Sequence, residues 1–270
     1  MAAELASFGV SKIYQSRSGE FRPALIDVSV QVAEGEFVSI VGPSGCGKTT
    51  FLKICAGLVT PTSGHVSFRD EAGPVPPGKY GIVFQNPALL KWRKIIDNVV
   101  IPAIVLKLDR KAAERRAHEL LALMKLTDVA TQYPGELSGG MQQRVSIARA
   151  LLHDPPVLFM DEPFGALDAF TRERVGLELQ ELHLHMEKPK TVMFVTHSIQ
   201  EAVLLSDRVL VFSATPGEVV ADVRVDLPRP RGMSDAMTLG FREIEAEIRA
   251  QLGENDGETA AAVAVAEGNG

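Results

Sequence analysis

The apolar positions of this chain fall into short runs that stop at polar residues, and those stops carry most of its information. Residues 37–41 (FVSIV) are a β-branched apolar run ending at Gly42 and Pro43, the pattern of a buried strand closed by a tight turn. Residues 157–160 end likewise at Asp161, Glu162 and Pro163, and residues 191–196 end at His197. Buried strands that terminate in polar residues predict a parallel sheet with its site at the carboxyl ends. Residues 48–56 read as the helix after the first strand. From Asp109, a helix N-cap type, the residues Ala113, Ala117, Leu120, Leu121 and Met124 recur at helical spacing with charges opposite. This predicts a helical subdomain, over about residues 88–151, inserted into the sheet domain. Residues 28–32, 64–68 and 80–84 alternate or cluster β-formers between Gly and Pro turns, which predicts an antiparallel sheet at one edge. One domain is thus expected over residues 1–252. Residues 253–270 are small, acidic and free of aromatics, and are expected to be a disordered tail.

Composition narrows the classes. With 270 residues and 46% hydrophobic content the chain can bury a sizeable core. Its net charge is −6, and Glu254, Asp256, Glu258 and Glu267 of the tail supply four of those charges. The nearly balanced remainder offers no broad basic field, so no nucleic-acid partner is expected. Cys46 and Cys55 are the two cysteines, too few for a disulfide framework or a four-thiolate metal site, which suits a reducing compartment. Met1, Ala2, Ala3 and Glu4 lack the basic start and apolar stretch of a secretory signal. The apolar runs at 99–106 and 260–266 fall far short of the ~20 residues that span a bilayer, so contact with a membrane is expected to go through a partner.

Gly42, Pro43, Ser44, Gly45, Cys46, Gly47, Lys48 and Thr49 match the phosphate-binding loop pattern, and Thr50 follows in the helix. Glycines there let consecutive backbone N–H groups curl round a phosphate at a helix N-terminus. Lys48 is placed to reach the β- and γ-phosphates of ATP, and Thr49 to ligate Mg²⁺. The run VLFMDEP, residues 157–163, delivers adjacent carboxylates, of which Asp161 suits an indirect, water-mediated Mg²⁺ contact and Glu162 can face an attacking water. Ser138, Gly139 and Gly140 open a second helix with a hydroxyl and free N–H groups, a second anion-binding end. One nucleotide does not need two. His65, His118, His153, His183 and His185 have no metal-ligand spacing and are read as solvated.

In LSGGMQQR, residues 137–144, the sequence resembles the ABC ATPase family, whose LSGGQ-like signature closes over ATP held by the opposite subunit; Met141 stands where Gln is commoner. The resemblance implies a P-loop NTPase fold with a RecA-like parallel-sheet core, an antiparallel β edge and an inserted helical subdomain. It also implies site roles at positions that follow in the family's order. Tyr14 resembles the aromatic that stacks on adenine, with Phe21 a weaker competitor. Gln85 resembles the residue that joins Mg²⁺ and water to the membrane partner. Glu162 resembles the general base, Ala166, Leu167 and Asp168 the loop linking two active sites, and His197 the histidine that touches the γ-phosphate.

Finer features are similar to importer subunits for nitrate, sulfonates and taurine. They are PALLKWRKIIDNVVIP (87–102, with Lys91 where Pro is usual), DEPFGALDAFTR (161–172) and SATPGEV (213–219). Trp92 is read there as an anchor for a membrane partner, against the alternative of a buried core residue. The resemblance implies an ATPase motor that works as a homodimer on the cytoplasmic face of the membrane. It would energise a permease fed by a solute-binding protein. Two other classes compete: ABC ATPases of DNA repair or translation, whose coiled-coil, zinc or tandem insertions are not visible here, and a regulatory ATP-binding module, disfavoured by Glu162 and His197.

Overall fold

The computed structural model describes residues 3–16, 19–165, 167–185, 189–232 and 234–253. Ala166 and the expected tail from residue 254 onward lie outside them. In chain order the strands and helices begin with β1 (Ala3–Gln15), β2 (Phe21–Ala33), β3 (Phe37–Val41), α1 (Lys48–Cys55), β4 (Ser63–Phe68), β5 (Glu71–Ala72) and β6 (Tyr80–Val83). The helices α2 (Ile95–Val99), α3 (Ile101–Val105), α4 (Arg110–Leu123) and α5 (Gly139–Leu151) follow. The chain then returns through β7 (Val157–Asp161), α6 (Ala169–His185), β8 (Thr191–Val195), α7 (Ile199–Leu205), β9 (Arg208–Phe212), β10 (Val219–Arg224) and α8 (Leu239–Gln251).

Two sheets result. The larger has the order β10-β9-β3-β8-β7-β6, with β9, β3, β8, β7 and β6 parallel and β10 antiparallel at the edge. β3, β7 and β8 are buried at all five positions each, as unbroken apolar runs of a covered parallel sheet must be. The smaller sheet, β2-β1-β4-β5, is antiparallel. This corrects one expectation. Residues 80–84 do not join the antiparallel edge, because β6 pairs in parallel with β7, Tyr80 opposite Val157 and Val83 opposite Met160. Asp109 caps α4 as expected, its Oδ1 accepting from the Ala112 N–H at 2.7 Å, and α4 buries Ala113, Ala117, Leu120 and Leu121.

A second correction concerns the histidines. His65 and His118 are exposed, but His153 is half-buried, its Nε2 3.0 Å from the Tyr80 carbonyl, and His183 is buried edge-on to Phe37 with ring centroids 5.6 Å apart. On α6 it follows the buried Val175 and Leu179 at four-residue steps, so its ring extends the helix's core face. Burial, aided by the charge of Arg229, pushes its imidazole down to about 4. The folded chain keeps His183 neutral where the unfolded chain takes up a proton near pH 6.5, so its share of stability is full above that pH. As pH falls from 6.5 towards 4 about 3 kcal/mol should be lost. Urea midpoints at pH 7.5 and pH 5 in the parent and in His183→Leu should show the pH dependence shrinking in the variant.

Candidate active site

The larger sheet's carboxyl end presents four polar segments. β3 runs into the phosphate loop, and Gly47, with φ 98°, forms the N-cap of α1 without a side-chain cap. The first N–H groups of α1 are therefore left for an anion. Only glycine fits there, since a Cβ would stand 2.6 Å from both the Ala24 carbonyl oxygen and Leu25 Cδ2. Lys48 is buried, its Nζ donating to the Gly42 and Pro43 carbonyls at 2.7 and 2.8 Å and lying 3.8 Å from the buried Cys46 Sγ. Thr49 Oγ1 donates to Asp161 Oδ1 at 2.7 Å, joining α1 to the end of β7. Burial raises the Asp161 carboxyl above its ordinary range, opposed by the Thr49 hydrogen bond and by the charges of Lys53 and Lys48.

Glu162 follows with φ 45°, a region where a non-glycine residue is uncommon, and its N–H donates to the Val195 carbonyl at 2.9 Å. That turn aims its carboxylate away from Asp161. Glu162 Oε2 accepts from Gln85 Nε2 at 2.9 Å and lies 3.5 Å from His197 Nδ1. Three expected site residues thus meet on one oxygen. Tyr14 reaches α1, its hydroxyl 3.4 Å from Thr50 Oγ1, with the ring partly exposed and Lys12 Nζ 5.2 Å from its centroid. Phe21 is far more exposed, at 71%.

The second anion-binding end has different surroundings. Ser138 caps α5, its Oγ accepting from the Met141 N–H at 3.3 Å, and a Cβ on Gly140 would meet Thr171 Cγ2 at 2.8 Å and Leu167 Cδ2 at 3.5 Å. Gly139 is the first residue of α5. Asp168, just ahead of α6, accepts from the Thr171 N–H at 3.0 Å, and hydrogen bonds with Thr171 hold its carboxyl below the usual range. Residues 138–140 therefore sit beside the Asp168 loop, whereas the phosphate loop sits against Ala24, Leu25 and Asp161.

The Ser213 to Val219 segment, noted in the sequence only as a resemblance, backs the phosphate loop. Thr215 Oγ1 donates to the Gly45 carbonyl at 3.1 Å, and the Gly217 N–H donates to the Ala24 carbonyl at 3.0 Å. A Cβ on Gly217 would lie 1.9 Å from the Cys46 carbonyl oxygen. The Pro216-Gly217 pair marks a turn, but nothing in a single sequence says that this turn touches residues 170 positions earlier. Trp92 is 74% exposed, which removes the buried-core alternative.

Among the described residues no group of three or more His, Cys, Asp or Glu could hold a metal ion. Thr49 Oγ1 beside the Asp161 carboxylate fits Mg²⁺, which binds through one or two protein groups together with substrate phosphates and water.

A parallel sheet that sends a glycine-rich loop into a helix, beside a strand ending in Asp161 and Glu162, defines a nucleotide-binding P-loop protein. The comparisons narrow this. The family model described as ABC transporter matches residues 25–165. The taurine import ATP-binding protein TauB of Burkholderia thailandensis is 43% identical over 235 residues, covering 87% of this chain and 89% of that protein. The aliphatic sulfonates import ATP-binding protein SsuB of Bacillus cereus is 41% identical over 245 residues, covering 90% and 93%. A bacterial ABC transporter cassette solved as a dimer superposes with a TM-score of 0.74 at 34% identity, covering 83% of this chain and all of that one. A second structure of that cassette, in a post-hydrolysis state bound to ADP and Pi, gives 0.73. The chain belongs to the ABC transporter family, as one of its ATP-binding cassettes.

Because the Cys46 carbonyl cannot move without its loop, Gly217→Ala should displace the phosphate loop. We expect equilibrium titration to give ATP affinity lowered by about tenfold, the effect of a small misplacement of a binding group, with the far-ultraviolet spectrum unchanged.

Proposed function

We propose that this chain is the ATP-hydrolysing motor of an importer, driving a separate permease that takes up a small anion such as a sulfonate, taurine or nitrate. The observation that carries the hydrolytic part is the meeting of Gln85 and His197 on Glu162 Oε2, one residue after the Asp161 that holds Thr49. Lys48 and the N–H groups of 42–49 bind the β- and γ-phosphates, and Tyr14 stacks on the adenine. Thr49, Asp161 and Gln85 hold Mg²⁺, which when bound neutralises charge on the phosphates. Glu162 accepts the proton of the attacking water, Gln85 and His197 orient its carboxylate, and His197 also donates towards the γ-phosphate. Residues 1–252 form this cassette, with the helices of about 88–151 as its partner-facing part.

The second anion-binding end, at Ser138, Gly139 and Gly140, serves a nucleotide bound by another copy. Two chains then pair head to tail about a two-fold axis, with Asp168 linking the sites. Among the described residues no helix is long and apolar enough to cross a membrane. Membrane attachment at the cytoplasmic face therefore runs through the permease, which in turn receives solute from a binding protein. Exposed Trp92, between Lys91 and Arg93, supports a contact there. The names of the sulfonate and taurine import relatives support the solute class.

Lys48→Ala should abolish phosphate release while the protein stays folded, the loss of a charge-assisted contact worth several kcal/mol in the transition state. Parent-like release by the folded variant overturns the hydrolytic reading. Glu162→Gln should bind Mg-ATP and elute as a dimer without turnover, and adding Ser138→Arg should return it to a monomer on size exclusion. A double variant that still dimerises would sink the shared-site arrangement. Trp92→Ala should reduce co-purification with the permease and leave ATP binding by the isolated chain within about twofold, as expected when an interface anchor outside the site is truncated.

A further inference from the structure

Two segments that carry proposed site residues, the loop ending at Asp168 and the turn bearing His197, lie on different elements and share one side chain between them. Arg172, in the first turn of α6, donates from its Nη2 to the Leu167 carbonyl at 3.1 Å, the peptide just ahead of Asp168. Its Nε lies 3.6 Å from Glu201 Oε1, in the first turn of α7. Glu201 Oε2 in turn accepts from Thr196 Oγ1 at 2.5 Å, and that same hydroxyl oxygen accepts from the Ser198 N–H at 3.0 Å. Ser198 Oγ closes the circuit by accepting from the Glu201 N–H at 3.2 Å. The residues on both sides of His197 are therefore fixed by Glu201, while His197 itself faces Glu162.

We propose that Arg172 is a positioning residue for hydrolysis, a two-ended tie through which the backbone ahead of Asp168 sets the turn that presents His197. The inference rests on the hydrolytic reading above. Its physical basis is an incomplete contact. Arg172 Nε is buried without a hydrogen-bond partner although it faces a carboxylate. Closing that gap to an ordinary N–H···O distance takes a shift of about half an ångström. A donor left unsatisfied in a buried setting is costly, so any displacement of the 167–168 backbone that brings Arg172 towards Glu201 is favoured. A second copy packing against Asp168 acts on that backbone directly. Arg172 then carries the displacement to Glu201, Thr196 and Ser198, and so to the imidazole beside Glu162. Burial raises the Glu201 carboxyl, opposed by the Thr196 hydrogen bond and by the charge of Arg172.

The test measures steady-state phosphate release and equilibrium ATP binding on the full chain, for Arg172→Met, Arg172→Lys, Glu201→Gln and the Met/Gln double variant. Arg172→Met should lower kcat by about tenfold, with KM, ATP affinity and thermal midpoint close to the parent, because a misplaced group costs turnover rather than binding. Arg172→Lys, which keeps the charge opposite Glu201, should recover part of the loss. The double variant should be no slower than the slower single variant, the signature of two residues acting in one pathway. A folded Arg172→Met with parent kcat overturns the proposal, as do single losses that multiply in the double variant, or a rate loss matched by an equal loss of ATP binding. If Arg172→Met does not fold, Glu201→Gln decides alone, and parent turnover there overturns the tie. Lys48→Ala is the control: if it is inactive while Arg172→Met is not, the tie alone fails, and if it is active the hydrolytic reading fails with it.

Discussion

The register of four adjacent parallel strands is the constraint on which the site depends. Ile40 lies opposite Val195, Val195 opposite Asp161, and Met160 opposite Val83, so β3, β8, β7 and β6 end level with one another. Strands paired this way stand about 4.8 Å apart. The residues that leave their ends, Gly42 after β3, Thr196 and His197 after β8, Glu162 after β7 and Gln85 just past β6, must then fall along a single edge. Neither a helix bundle nor an antiparallel meander brings residues so distant in sequence to one line of backbone. Here the parallel hydrogen-bond ladder does so before any side chain is chosen.

What the ladder cannot do is aim those residues, and that falls to backbone shapes that cost free energy locally. Asp161 and Glu162 are neighbours, yet one serves Thr49 and the other Gln85 and His197. The positive φ of Glu162 divides them, held by its N–H on the Val195 carbonyl. The phosphate loop is shaped in the same way from outside, with the β9–β10 turn pressing Gly217 on the Cys46 carbonyl and Gly47 fitting under Ala24 and Leu25. Close backbone approach at both places explains why glycine is required there.

How much of this the sequence discloses follows from the range of each interaction. The phosphate loop, the Asp161-Glu162 pair and the Asp109 cap are local patterns, in which the residues that do the work are within a few positions, and they are legible. The sheet that β6 joins is not legible, because a four-residue β-forming segment looks the same in either sheet and only its distant partner β7 decides. The burial of His183 is masked because histidine is polar by type, although Val175 and Leu179 at helical spacing mark its face as apolar. Thr215, Gly217, Arg172 and Glu201 were missed for a different reason. Thr215, Gly217 and Arg172 lie in segments noted only for their resemblance, and their contacts, like that of Glu201, join elements that no local pattern connects.

The segment between Gln85 and Trp92 owes its shape to contacts of the same long-range kind. Gln85 is where the chain leaves the sheet, and the segment that follows is held at both ends. Arg149 of α5 donates to the Pro87 and Ala88 carbonyls at 2.7 and 2.9 Å. Asn98, buried in α2, accepts from the Leu90 N–H at 2.7 Å, and its amide nitrogen lies within 3.1 Å of the Leu90, Arg93 and Lys94 carbonyls. A buried amide with every group satisfied fixes a turn as firmly as secondary structure does. Trp92 therefore stands out from a turn tied to α2 and α5, not from a loose loop. The turn that presents Trp92 is thus set by Arg149 and Asn98, residues that lie outside it.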